Sequence, residues 1–72
     1  MDDNLIVEKI HAAAFRLRRE HPEYRRGQSY FNAAHDLYPD LASPLAGTDV
    51  DCYYIDANVD AFLRAVAGRC VV

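Results

Sequence analysis

One acidic segment of the chain has carboxylates at a spacing that could hold a metal ion. Asp49, Asp51 and Asp60 match positions 1, 3 and 12 of a calcium-binding EF-hand loop. Tyr53 stands at the next ligand position, however, and Tyr54 replaces the glycine on which the sharp turn of that loop depends. The segment is therefore not predicted to bind calcium, and we expect no metal and no other cofactor.

The histidines and cysteines show no catalytic or zinc-binding pattern. The three histidines, His11, His21 and His35, have neither HExxH spacing nor a CxxC pair beside them. Cys52 has no histidine close in sequence to activate it, which favours a structural thiol. Cys52 and Cys70 are too few for a disulfide scaffold, and we expect both as free thiols. The chain is therefore not predicted to be an enzyme.

A cluster of aspartates and tyrosines is the strongest candidate for a partner-binding surface. It consists of Asp49, Asp51, Tyr53, Tyr54 and Asp56. Tyrosine offers a large contact area at a low cost in side-chain entropy, and protein interfaces are enriched in it. A second interpretation is that the tyrosines fill the core of a domain that has no tryptophan. Adjacent side chains point in different directions, so we expect one tyrosine of the neighbouring pair to be buried and the other accessible.

A basic patch is the alternative binding surface. It consists of Arg16, Arg18, Arg19, Arg25 and Arg26. Residues 27–63 contain six aspartates and no Lys or Arg, although the net charge of the whole chain is only −3. A nucleic-acid-binding domain usually has a basic total, whereas this chain has a pI near 5.4. Direct nucleic-acid binding is therefore an alternative rather than the favoured function, and the arginines could simply stabilise a helix C-terminus or form rim ion pairs.

The first helix is predicted over residues 4–21. Its capping residue is expected among Asp2, Asp3 and Asn4. Pro22 cannot lie inside a helix and biases His21 away from the α region, so the helix is expected to stop there. One apolar stripe recurs at helical spacing and is predicted to face the core: Ile6, Ile10, Ala13, Ala14 and Leu17.

The second helix is predicted from Arg26 to Leu37, with Pro39 as its stop. Its buried side is expected to consist of Tyr30, Phe31, Ala34, Leu37 and Tyr38. Residues 39–47 are predicted to form a short helix or a pair of turns. Gly47 would close this segment, because glycine adopts a left-handed conformation without steric penalty.

The last helix is predicted to start with Asp56 as its N-cap and to end before Gly68. Its apolar stripe at helical spacing is Val59, Phe62, Leu63 and Val66. Residues 48–55 are expected to be a loop. The predicted fold class is therefore all-α: a compact bundle of three main helices with a short helix or turn and an Asp/Tyr-rich loop.

The chain is predicted to be one helical domain over residues 1–72, with a tail at 69–72 that frays. A domain this short buries only about 60% of its unfolded surface, so a partner or a second copy in a homodimer could complete its core. No run approaches the roughly 18 apolar residues of a membrane span, and the acidic start is unlike a secretion signal. We therefore expect no membrane association and a cytoplasmic location.

Several short motifs of the chain resemble a family of small proteins encoded by bacteriophages and prophages. The resemblance covers about residues 20–66 and lies in residues 24–32 (YRRGQSYFN), Pro39-Asp40-Leu41, Gly47-Thr48, Asp51-Cys52-Tyr53 and Phe62-Leu63. Cys52 departs from the family pattern, in which a proline is expected. The resemblance implies a location in a bacterial host cell and a host protein or protein–RNA defence complex as the partner.

The shared residues also suggest how the loop is held in place. Gly27 would permit a close approach of another helix, and Gln28 and Asn32 could bond the backbone of residues 47–51. Arg25 or Arg26 could pair with the loop aspartates Asp49 or Asp51. The favoured function is an inhibitor of a host nucleic-acid-targeting defence complex, of the anti-CRISPR type, that blocks a partner surface. The alternatives are a nucleic-acid-binding regulator that uses the basic patch and a structural or assembly accessory of a phage particle.

Overall fold

The computed structural model describes the backbone of residues 3–70 and the side chains of residues 5–68. It contains four α-helices: α1 (Asp3–Glu20), α2 (Arg26–Leu37), α3 (Pro39–Ala42) and α4 (Val59–Cys70). Short 3-10 turns cover Ser43–Leu45 and Asp56–Asn58. No strand occurs among residues 3–70, so the all-α prediction is confirmed.

Helix α1 presents its predicted apolar stripe to the core. Ile6 and Ile10 are fully buried, Ala13 and Ala14 one turn further on are also buried, and Leu17 is half-buried. The helix ends at Glu20, one residue before the predicted end, and the His21 amide still donates to the Leu17 carbonyl at 2.7 Å. Its predicted capping residues lie outside the described side chains.

Helix α2 has the predicted bounds and returns along α1 after a connection of five residues, 21–25. Its buried residues are small: Gly27, Ser29, Ala33 and Ala34. Small side chains let α1 approach closely, so the larger side chains of α2 lie at the edges of the contact. The predicted burial of Leu37 is wrong, because this last residue of α2 is left 42% exposed where the chain turns into α3.

The segment that follows α2 forms the expected short helix and turn. Pro39 occupies the first turn of α3, where its missing amide hydrogen has no role. Gly47 has a φ of +77°, so its predicted left-handed conformation is confirmed. The segment packs against α2 and α4 and is followed by the loop that precedes α4.

Two predictions about α4 are wrong. Asp56 does not cap the helix, because it opens a 3-10 turn and its carboxylate is used elsewhere. The helix also continues through Gly68 to Cys70, since a single glycine costs a helix only about 1 kcal/mol. The predicted frayed tail therefore contains helix at residues 69 and 70, while Val71 and Val72 lie outside the described residues.

The hydrophobic core lies where α4 meets α1 and α2. Phe62, Val59 and Val66 of α4 are fully buried together with Ile6 and Ile10 of α1. The Phe62 ring lies 5.5 Å from the Phe31 ring of α2, measured between centroids. Phe62 is the largest fully buried side chain among those described, so this ring contributes most to filling the core.

Replacing Phe62 by alanine is expected to destabilise the domain by roughly 3–5 kcal/mol, because the truncated side chain leaves a cavity. Phe15→Ala is the matched control, since Phe15 is 66% exposed and should cost little. Thermal unfolding followed by circular dichroism measures both. Equal melting temperatures for the two variants would show that Phe62 is not a core residue.

Candidate partner-binding surface

Residues 46–55, here called the Asp/Tyr loop, connect the two 3-10 turns and contain most of the predicted binding cluster. The loop docks on the first turn of α2 through Gly27. A Cβ atom added to Gly27 would lie 1.9 Å from the carbonyl oxygen of Cys52, which is a steric clash. Only glycine therefore fits at this position. Gly27 therefore permits a close approach, but the approaching segment is the loop and not the helix that was predicted.

Two hydrogen bonds complete the contact at Gly27. Its amide donates to Oδ1 of Asp56 at 2.9 Å, and its carbonyl accepts from Sγ of Cys52 at 3.2 Å. Helix α2 has no acidic residue in its own first turn, and its N-cap residue, Arg25, makes no side-chain cap. The Asp56 carboxylate therefore supplies both the missing acceptor and the negative charge that a helix N-terminus favours.

Side chains within and beside the Asp/Tyr loop hold its backbone. Asp51 accepts from the Gly47 amide at 2.7 Å through Oδ2 and from the Tyr53 amide at 2.9 Å through Oδ1. Asn58 donates to the carbonyls of Asp49 and Asp51 at 3.1 and 3.0 Å. The irregular segment thus has a defined shape.

The predicted partners of the loop are corrected by this arrangement. Asn58, which sequence reasoning missed, makes the backbone contacts that were expected from Gln28 and Asn32. Gln28 instead donates to the Tyr53 hydroxyl at 3.2 Å. The reason is geometric. Asn58 follows the loop directly, in the 3-10 turn, whereas Gln28 lies on α2 and its side chain contacts Tyr53 of the loop.

The two adjacent tyrosines divide as predicted. Tyr53 is half-buried and packs edge-on against Phe31, with ring centroids 5.8 Å apart. Tyr54 is 77% exposed and rests edge-on against Tyr53 at 4.7 Å. Ile55, which was not predicted as a site residue, is 53% exposed beside it. No sequence signal marks Ile55, because an exposed isoleucine looks like a core residue until the fold is known.

The aspartates of the predicted cluster have different roles. Asp51 and Asp56 bind backbone amides, so they maintain the loop and the start of α2. Asp49 is exposed, and no described side chain or backbone amide hydrogen-bonds its carboxylate. The accessible members of the cluster are therefore Tyr54 and Asp49, and we call these two residues together with Ile55 the Tyr54 tip.

The predicted basic patch is divided. Arg25 pairs with Asp56, with Nε 3.8 Å from Oδ1, rather than with Asp49 or Asp51. Arg26 lies over the Tyr30 ring, its guanidinium carbon 5.3 Å from the ring centroid. Arg16, Arg18 and Arg19 form a separate group of exposed side chains near the end of α1.

Cys52 is fully buried in the contact between the loop and α2. Burial, reinforced by the nearby Asp51 carboxylate, raises the pKa of its thiol from 9.0 to about 12. The thiol is therefore protonated at neutral pH, which suits its role as a hydrogen-bond donor and makes it a poor nucleophile.

Comparisons with known protein families, with curated proteins and with solved structures found no significant match to this chain. Among the described residues, no group of three or more His, Cys, Asp or Glu side chains is placed to hold a metal ion. Within the same residues, no helix combines the length and the apolar character that crossing a membrane requires.

Gly27→Ala is expected to destabilise the protein by about 1–3 kcal/mol, because its Cβ would collide with the Cys52 carbonyl. Gly68→Ala is the control: its Cβ would meet no atom within 4 Å, and it should stabilise α4 by up to about 1 kcal/mol. Urea denaturation provides both free energies. The close contact is refuted if the two substitutions shift stability in the same direction.

A second prediction concerns the thiol. As pH rises, the unfolded thiol loses its proton near 9.0, whereas the folded one keeps it until about 12. The contribution of this thiol to the free energy of unfolding is therefore fully present below pH 9.0 and is lost as the pH rises from the unfolded pKa towards the folded one. Urea midpoints measured between about pH 8 and about pH 10.5 should fall more steeply for the native protein than for Cys52→Ser, which does not titrate. Parallel curves would contradict the prediction.

Proposed function

We propose that this chain is a small protein-binding module that engages its partner through the Tyr54 tip. The observation that carries the proposal is an exposed aromatic and aliphatic pair, Tyr54 and Ile55, on a loop whose backbone is fixed by hydrogen bonds. Isolated exposed apolar side chains are common on proteins. Two adjacent ones presented by a braced loop are typical of a binding surface.

Preorganisation supports the proposal energetically. Ordering one flexible residue costs about 1–2 kcal/mol, and a disordered loop would lose this amount for each residue that binding fixes. Here Asp51 and Asn58 have fixed the loop before any partner arrives. Most of the contact energy of the tip would then appear as affinity.

Charge indicates the chemistry of the partner. Asp49 is an exposed residue of the same loop, and the carboxylates of Asp51 and Asp56 add to the negative potential although they also bind amides. A complementary surface would combine an apolar pocket for Tyr54 with lysines or arginines around it. Surfaces of this kind occur in channels built to hold nucleic acid.

The finer proposal follows from this charge and from the resemblance to phage proteins. The chain acts in the bacterial cytoplasm as an inhibitor of a host nucleic-acid-targeting defence complex, of the anti-CRISPR type. It blocks a Lys/Arg-lined surface of a protein or protein–RNA complex. Binding by the tip to a second copy of this chain, or to a phage structural protein, is an alternative that the same experiment distinguishes.

The test uses purified RNA-guided nuclease complexes and measures target cleavage in the presence of the chain. The native protein is expected to inhibit at least one complex. Tyr54→Ser combined with Ile55→Ser should weaken inhibition by roughly tenfold or more, the usual cost of losing a central aromatic contact. Asp49→Lys should weaken it as well, through the loss of charge complementarity.

Leu5→Ser provides the control, because Leu5 is also exposed, at 45%, but lies on α1 away from the loop. It should inhibit like the native protein, and all variants should melt close to it. Full inhibition by the Tyr54/Ile55 variant would refute the tip as the site. If none of the tested complexes is inhibited, the anti-CRISPR proposal is refuted. Sedimentation would then show whether the chain forms a homodimer through the tip.

A further inference from the structure

The last turns of α1 present an aromatic ring among arginines. Phe15 is 66% exposed, and Arg16, Arg18 and Arg19 are exposed around it. Arg18 and Arg19 follow Phe15 by three and four residues, the spacing at which helical side chains are neighbours. The guanidinium carbon of Arg19 lies 5.9 Å from the ring centroid. We call these four residues the Phe15 face.

The Phe15 side chain lines two open clefts. One cleft is lined by Phe15 together with Arg16, Arg19 and Glu20. The other is lined by Phe15 together with Arg18, Arg19, Pro22 and Tyr24. Tyr24 itself stacks on His21, with ring centroids 4.5 Å apart, so the second cleft has an aromatic far wall. A flat ligand could therefore reach Phe15 through either cleft.

The arginines of this face have no acidic partner. Among the described side chains, the ion pairs are His21 with Glu23 and Arg25 with Asp56. None of Arg16, Arg18 or Arg19 has a described carboxylate within ion-pair distance, although Glu20 lies in one cleft. Their positive charge is therefore available to an anionic ligand.

The net negative charge of the chain does not cancel this local field. Asp36 lies in the last turn of α2, roughly 15 Å of helical rise from Arg26, which exceeds the Debye length of about 8 Å at physiological salt. Asp56, at the near end of α2, is matched by Arg25 at 3.8 Å. The Phe15 face thus remains locally positive.

We propose that the Phe15 face binds single-stranded nucleic acid, with one base stacked on Phe15 and the flanking phosphates contacted by Arg16, Arg18 and Arg19. An exposed ring beside cationic side chains is the arrangement with which proteins hold single strands without sequence preference. Guanidinium groups match phosphate oxygens in a bidentate geometry. An acidic peptide would satisfy the arginines but would give the exposed ring no stacking partner.

A duplex fits this face less well. Its bases are already stacked and its edges are recessed in grooves, so the Phe15 ring would have no base to contact. The proposed site is also independent of the Tyr54 tip, because the two surfaces share no residue. Either one can therefore fail its test without affecting the other.

The test measures fluorescence anisotropy of a fluorescein-labelled oligothymidylate or oligouridylate of about ten nucleotides, a length within the usual site size. Phe15→Ala should weaken binding by roughly 5- to 100-fold, the range expected for loss of one stacked base, and Phe15→Tyr should restore most of it. A plot of log K against the logarithm of the salt concentration has a negative slope. Arg19→Gln should reduce the magnitude of that slope by about 0.7, the contribution of one phosphate contact on a single strand.

Two matched controls separate this site from general electrostatic attraction. Lys9→Gln removes one positive charge elsewhere on α1 and should leave affinity within about twofold, since exposed charges beyond a Debye length are screened. His35→Ala removes an exposed aromatic ring on α2 and should have no effect. Circular dichroism is expected to show unchanged helicity for all variants, because each altered side chain is exposed.

Three results would overturn the proposal. The first is no binding of either oligonucleotide at low salt. The second is equal affinity of the native protein and Phe15→Ala, which would leave only charge attraction. The third is equal or tighter binding of polyglutamate or of duplex DNA, which would assign the face to acidic proteins or to double strands. Preferential binding of the single strand that depends on the Phe15 ring would support it.

Discussion

Gly27 meets the Cys52–Asp56 segment through every part of its backbone. Its amide donates to the Asp56 carboxylate, its carbonyl accepts from the Cys52 thiol, and its Cα faces the Cys52 carbonyl. The first amides of a helix have no partner within the helix, and Arg25 offers no side-chain cap. The loop therefore completes α2 while α2 supports the loop, so neither element is independent of the other.

This mutual support explains the residue found at position 52. A cysteine side chain is small enough for full burial and still donates a weak hydrogen bond to the Gly27 carbonyl. A proline at this position would have no thiol to donate to the Gly27 carbonyl. It would also lack the amide hydrogen. Cys52 is therefore part of the contact between the loop and α2 rather than a reactive group.

The sequence was sufficient to predict the bounds of helices that a repeating pattern of nearby apolar residues defines. It was insufficient where the role of a side chain depends on a contact with a residue distant in the chain. The period of three to four residues predicted α2 with its observed bounds and α1 to within one residue at each end. Asp56 has the composition of an N-cap for α4, but its carboxylate binds Gly27, 29 residues earlier in the chain. The exposure of Ile55 was equally hidden, because residue type alone predicts that it is core.

The two exposed surfaces place a geometric condition on a partner that uses both. The molecule measures 36 Å along its longest axis, and the Tyr54 tip and the Phe15 face both belong to this one compact body. A partner engaging the two surfaces must therefore offer a Lys/Arg-rimmed apolar pocket and an accessible single strand within about that distance. A nucleoprotein complex meets the condition where its guide or target strand leaves the protein channel, since channel lysines and arginines then lie beside unpaired bases. A protein without bound nucleic acid could occupy the tip but would leave the Phe15 ring exposed.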